Sequence, residues 1–288
     1  MLKGVFMNYK IVSDSSSNLF HWEDVAYASV PMKVIAGDKE YVDDPQLDVA
    51  GMVEDLKKHK GKSGSSCPNV QDWLDAFGDA DYIFAMTITC ELSGSYSSAM
   101  NAGSIYEAEN PGRKVFVLDS RGTGPEMVLA AQKIKELADM DLGFEEIKEQ
   151  LIAYHKHLQT LFCLQSLTNL ARNGRINPAV AKISGVLGIQ IVGEARYGTI
   201  TPVHKPRGEK KALQAMMDLM IEKGLFDGAK VRIAHCLALE KANALVELIR
   251  SQFPNCSFHV EPCGALCSFY VETGGLIVGM EGTSERIA

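Results

Sequence analysis

Four short segments carry the side chains best able to do chemistry. They are Ser13-Asp14-Ser15-Ser16-Ser17-Asn18, Ser63-Gly64-Ser65-Ser66-Cys67-Pro68, Glu91-Leu92-Ser93-Gly94-Ser95-Tyr96 and Asn173-Gly174-Arg175-Ile176. Three are crowded with small hydroxyls, two of these follow strand-like apolar runs, and the fourth sets a guanidinium beside a glycine. Hydroxyls and backbone N–H groups at strand ends can hold an anionic head group without any nucleophile of their own. The pattern favours a receptor for a small anion over an enzyme.

Each segment also has a plainer reading. Ser93 sits where a strand gives way to a helix, so its hydroxyl and the N–H groups of Gly94 and Ser95 either face a ligand or cap the helix. Ser65 and Ser66 precede Cys67-Pro68, and the proline keeps the preceding residue extended; the alternative is a flexible Ser/Gly linker. Asp14 with Ser15–Asn18 is either a metal or phosphate loop or an Asx-type turn that satisfies its own backbone. Arg175 offers a planar fork for a carboxylate or phosphate, or is an exposed helix-end cation. Lys205 and Arg207, in His204-Lys205-Pro206-Arg207, form a solvated turn or a phosphate or partner contact.

Stand-alone catalysis finds less support. Leu92-Ser93-Gly94-Ser95 lacks the Gly-x-Ser-x-Gly elbow of a serine hydrolase, and no local base accompanies it. A phosphotransferase would have to use Asp14 or Asp119 without a phosphate-binding Gly-rich loop. His155 and His157 lie two apart on a predicted helix and point to different faces, which makes a poor metal pair. Cys263 and Cys267, four apart, read as small buried hydrophobes. No catalytic residue, metal site or cofactor is expected.

The elements that position these segments alternate. Strands are predicted at Tyr9–Ser13, Asp81–Thr87 and Lys114–Leu118, and helices at Asp48–Lys58 (Asp48 as N-cap), Ser93–Glu109, Pro125–Ala138 and Phe144–His157. Val30–Ala36 and Lys39–Val42 read as a hairpin about Gly37-Asp38. Strands separated by helices imply parallel pairing, with ligands beyond the carboxyl ends of the strands. Further on, Gly188–Glu194 and Thr199–His204 flank Tyr197-Gly198 as an antiparallel hairpin. Helices at Glu209–Lys223 and Leu239–Gln252 alternate with strands at Lys230–His235 and Ser257–Val260. The expected fold is therefore α/β in two domains. Residues 1–158 form an N-terminal domain with a mostly parallel sheet flanked by helices and the serine segments. Residues 159–288 form a C-terminal domain with a mixed or antiparallel sheet, and the ligand lies between them.

Bulk properties narrow the function classes. A chain of 288 residues with net charge −7 argues against a nucleic-acid footprint. No apolar run reaches the roughly 18 residues of a membrane span, and Met1–Asn8 is too short for a signal peptide. Seven cysteines without a Cys-x-x-Cys pair fit a reducing cytoplasm.

An ordered set of motifs resembles the DegV family of bacterial fatty-acid-binding proteins over nearly the whole chain. It comprises Val12-Ser13-Asp14-Ser15-Ser16-Ser17-Asn18-Leu19, Val30-Pro31-Met32 with Tyr41-Val42-Asp43, Ser65-Ser66-Cys67-Pro68-Asn69 and Leu92-Ser93-Gly94-Ser95-Tyr96. Val117-Leu118-Asp119-Ser120, Leu167-Thr168-Asn169-Leu170 through Gly174-Arg175-Ile176, and Lys205-Pro206-Arg207-Gly208 complete it. The resemblance implies a non-catalytic protein that buries one palmitate-like long-chain fatty acid between two α/β domains. The carboxylate would be held by the hydroxyls of Ser65 and Ser93. In fatty acid kinase systems such a protein presents the acid to a separate ATP-dependent kinase subunit that makes acyl phosphate. By similarity Arg175, Lys205 and Arg207 would lie near the head group or the kinase-docking surface.

The chain departs from the family pattern in places. Ser65 stands for the usual threonine, Cys67 for glutamine and Asn69 for a second serine. Near the C-terminus, Glu272-Thr273-Gly274-Gly275 replaces a His-Thr-Gly-Pro-Gly-like stretch. A glutamate there would repel a carboxylate ligand unless protonated or turned away. An apolar tunnel, at about 0.8 kcal/mol per buried methylene, would dominate affinity.

Overall fold

The computed structural model describes residues 8–179 and 188–286. Its first sheet comprises β1 (Tyr9–Asp14), β2 (Tyr27–Val30), β6 (Tyr82–Thr87) and β7 (Lys114–Asp119) in the order β2-β1-β6-β7, every pair parallel. The predicted strands do share one sheet; β2 was not anticipated. Val12 lies opposite Ala28 on one side and Ala85 on the other. Because side chains alternate along a strand, Ile11, Phe84, Met86 and Leu118 face α4 (Pro125–Asp139) and α5 (Phe144–His155), while Val12, Ile83 and Ala85 face α2 (Val70–Phe77) and α3 (Ser95–Glu109). Sheets covered on both faces by helices suit parallel strands.

A second, small sheet contains β3 (Lys33–Ala36), β4 (Lys39–Val42) and β5 (Ser63–Ser66), ordered β4-β3-β5 and antiparallel. The hairpin about Gly37-Asp38 is as predicted, although Val30 belongs to β2. Ser63–Ser66 is a strand and not a loop: it pairs with Ala36–Lys33 and thereby satisfies the backbone of a serine-rich run that has no apolar signature of its own. Helix α1 (Val49–Lys58) connects β4 to β5, and Asp48 caps it as expected by accepting from Gly51 N at 3.0 Å.

The third sheet contains β8 (Leu158–Leu164), β9 (Ile191–Arg196), β10 (Thr199–His204), β11 (Lys230–His235), β12 (Ser257–Pro262) and β13 (Leu276–Glu281). Its order is β10-β9-β8-β13-β11-β12, antiparallel except for β11–β12, so the fold is α/β with a parallel and a mixed sheet. Helices α7 (Glu209–Glu222) and α8 (Leu239–Arg250) cover one face, packing Met216, Met220 and Leu245 on Leu161, Ile233 and Val278. Helix α4 lies against the other face, between this sheet and the parallel one. Pro125, Met127, Leu129, Ala131 and Ile134 are all buried along it, as expected for a helix enclosed on several sides. Two short helices complete the set used below, α6 (Thr168–Arg172) and α9 (Ala265–Val271).

The first serine segment joins these layers through buried hydrogen bonds. After β1, Ser15–Ser17 form a single 3-10 turn, and Asn18 closes it in the left-handed region at φ 62°. Asp14 is fully buried and accepts from Ser16 Oγ, from Ser95 Oγ at 2.6 Å and from Ile88 N at 3.0 Å. Burial raises its carboxyl above the usual range against these hydrogen bonds. Ser15 donates to Asp43 at 2.8 Å, and Asp43 accepts from Ala265 N at 2.5 Å and Leu266 N at 3.2 Å, while Asn18 accepts from Gly264 N at 2.9 Å. The segment thus ties the parallel sheet to the start of α9. Burial pushes the Asp43 carboxyl up to about 6, against the hydrogen bonds from Ser15, Ala265 and Leu266.

Candidate functional site

Beyond the carboxyl ends of β6 and β7 lies a cavity of about 320 Å³, within the range of small-molecule sites. Its walls come from the small and the mixed sheets, from α9 and from the loops that follow the strands of the parallel sheet. On β8 the alternation that buries Leu161 and Cys163 under α7 and α8 turns Thr160, Phe162 and Leu164 into the cavity, and Ile277 on β13 does the same. Met32, Ile88 and Leu266 form a small apolar cluster that lines it from the side of the parallel sheet.

Polar groups concentrate where three of the four sequence segments converge. Ser65, Ser66, Ser93, Gly94 and Arg175 all line the cavity, together with Cys67 and Tyr270. A β-carbon on Gly64 would come within 3.1 Å of Asn173 Oδ1, and one on Gly94 within 3.3 Å of Cys67 Sγ, so both glycines permit close approach of the neighbouring segment. Arg175 donates through Nε to Leu92 O at 3.2 Å and through Nη1 to Asn173 O, tying two of the segments together. Ser93 Oγ accepts from Ser95 N at 3.2 Å. It closes a turn just before α3, whose N-cap is Gly94, and keeps its own proton for another acceptor. Ser65 Oγ lies 2.8 Å from Tyr270 Oη.

Other predicted residues stand elsewhere. Ser95 is fully buried, spends its hydroxyl on Asp14 and does not line the cavity. Lys205 and Arg207 are exposed and also lie outside the lining. Asp119 accepts from Cys90 N and Arg121 N and pairs with Arg121 at 2.9 Å, a loop-closing role. Glu272 points away from the cavity: it accepts from Ser166 Oγ at 2.9 Å and Asn169 N at 3.1 Å at the start of α6. Tyr270 was missed, because nothing local distinguishes it from a core aromatic; only its contact with a serine 205 positions away does so.

Among the described lining residues there is no histidine, aspartate or glutamate, and Arg175 is the one charged group. Among the described residues no cluster of histidine, cysteine or acidic side chains could hold a metal ion. The arrangement can bind an acid through neutral donors and enclose an apolar body; among the described lining residues no carboxylate or imidazole stands beside Ser93.

Behind the wall at Thr160 sits a buried ion pair. Glu126 on α4 is 0% exposed, bonded to Thr160 Oγ1 and paired with Arg286 Nη2 at 2.9 Å and His155 Nε2 at 3.3 Å. Burial raises the Glu126 carboxyl, but Arg286, His155 and Thr160 outweigh it and bring it down to about 2.

Comparison with known proteins points in one direction. The family model described as "Uncharacterised protein, DegV family" matches residues 8–281. A DegV domain-containing protein of Streptococcus pneumoniae is 37% identical over 280 residues, covering 96% of this chain and 99% of that protein. A crystal structure of a DegV family protein from Eubacterium eligens loaded with heptadecanoic acid superposes with a TM-score of 0.93 at 37% identity, covering 96% of this chain and 100% of that one. The Streptococcus pneumoniae fatty acid kinase B3 protein loaded with linoleic acid also gives 0.93, at 36% identity over 96% of this chain and 99% of that one.

Proposed function

The chain belongs to the DegV family, and on that premise we propose that it is a non-catalytic receptor for one long-chain fatty acid. The acyl chain occupies the apolar cavity, and its carboxylate sits where Ser65, Ser66, Ser93, Gly94 and Arg175 converge. The observation that carries this reading is the make-up of the cavity wall: Ser65, Ser66, Ser93 and Arg175 where the segments meet, mainly apolar side chains with four threonines over the rest, and no acid among the described lining residues. Heptadecanoic and linoleic acids bound in relatives of 37% and 36% identity support the ligand class. Ser65 in place of threonine keeps the donor.

Delivery to a separate fatty acid kinase subunit is the wider role we assign. It rests on the likeness to the fatty acid kinase B3 protein, and exposed Lys205 and Arg207 are the contacts we assign to that partner. We place the domain division at residues 158/159, one residue into β8, where the chain passes from the segment that builds the parallel sheet to the one that builds the mixed sheet. Among the described residues no helix is long and apolar enough to cross a membrane. We assign the protein to the cytoplasm because all seven cysteines are free thiols.

Titration of delipidated protein with labelled palmitate tests the head-group assignment. Ser93→Ala removes a donor to a charged group, at about 1.5–3 kcal/mol, and is expected to weaken binding roughly ten- to a hundredfold. Palmitate binding unchanged in Ser93→Ala would refute the placement of the carboxylate.

A further inference from the structure

We infer that Tyr270 is a carboxylate-binding residue, acting as one unit with Ser65. The inference rests on the fatty-acid reading above and specifies how the head group is held. Tyr270 projects from α9 into the cavity, and its Oη lies 2.8 Å from Ser65 Oγ. The ring is fixed by an edge-to-face contact with Phe269 (centroids 4.8 Å apart, planes at 67°) and by the cluster of Met32, Ile88 and Leu266. Helix α9 is itself anchored, because Asp43 holds the N–H groups of Ala265 and Leu266. A side chain on so constrained a helix presents its hydroxyl at a defined point.

Counting protons shows why the pair matters. Each hydroxyl has one proton and can both donate and accept. While the two are bonded to each other, one proton is used between them and the other is left for a ligand. A carboxylate has about four lone-pair positions, so its arrival lets both hydroxyls donate to it, each hydrogen bond being charge-assisted. Arg175, the one cation near this point, is partly engaged, since it uses Nε and Nη1 on Leu92 O and Asn173 O. Glu272, which stands where the family pattern often has a histidine, faces α6 and supplies nothing. Tyr270, two residues earlier, brings a neutral donor to the same end of the cavity.

The test compares two ligands with the same tail, palmitate and hexadecanol, on delipidated wild-type protein and on Tyr270→Phe, which keeps the ring and removes only Oη. Palmitate affinity is expected to fall about tenfold, equivalent to about 1.4 kcal/mol, while hexadecanol affinity changes less than about twofold. Ser65→Ala combined with Tyr270→Phe should lose more than either change alone. Unchanged palmitate affinity in Tyr270→Phe, or equal losses for acid and alcohol, overturns the role of Tyr270. Wild-type protein that binds neither ligand overturns the lipid-receptor reading, and this inference with it.

Discussion

Replacing Arg286 with alanine is expected to destabilise the protein by about 3–5 kcal/mol, the cost of leaving a buried carboxylate without its partner. Glu126 is completely buried, and Arg286 reaches it while its Nε and Nη1 also donate to Leu158 O and Ser120 O. One arginine near the end of the described chain therefore braces the loop after β7, α4 and the start of β8. Glu126→Gln combined with Arg286→Met should recover much of the loss, since a neutral pair of similar volume carries no uncompensated charge. Chemical denaturation of the single and double variants measures both effects. The pH dependence has a definite sign. A carboxyl lowered from 4.5 to about 2 contributes stability that is present above about pH 4.5 and is lost as pH falls through about 2. Glu126→Gln should lack this acid-range loss.

The second large effect concerns ligand chain length. If the tail fills the apolar cavity, each buried methylene contributes about 0.8 kcal/mol. Shortening the ligand from sixteen to twelve carbons then costs roughly 3 kcal/mol, or about two hundredfold in affinity. Competition of dodecanoate against labelled palmitate reads this ratio directly. A head-group-only site would bind both equally, because Ser65, Ser93 and Tyr270 are blind to the far end of the chain.

Much of this architecture was legible from local patterns. β1, β6, β7, helices α1 and α3, the Asp48 cap and the limits of β11 at Lys230–His235 follow from periodicity and end signals. The losses have physical causes. All seven residues of β8 are buried, so its two faces do not differ as a buried and an exposed face would, and no inside–outside pattern marks it in sequence. β13 is almost as apolar, and α9 is a seven-residue helix buried nearly throughout. Buried elements of this length look alike in sequence. Ser63–Ser66 reads as a loop in sequence for the opposite reason, since its pairing is set by β3 and not by its own side chains.

The site was half legible. Ser65, Ser66, Ser93, Gly94 and Arg175 line one cavity, but the most hydroxyl-rich segment proved to be a joint. Ser13, Ser15, Ser16 and Ser17 are all buried, and their hydroxyls are engaged by Tyr27, Asp43, Asp14 and Leu19 N. Hydroxyl density alone cannot separate a ligand cradle from a satisfied interior turn, since both need the same donors. Tertiary context makes the difference: Asp14 and Asp43 stand opposite one set of serines, and a cavity stands opposite the other.

The most direct test of the central claim is mass spectrometry of small molecules released by denaturing the protein purified from bacteria. The account predicts a long-chain fatty acid in near one-to-one amount with the chain. Protein that releases no fatty acid, and takes up none when palmitate is added, would contradict it.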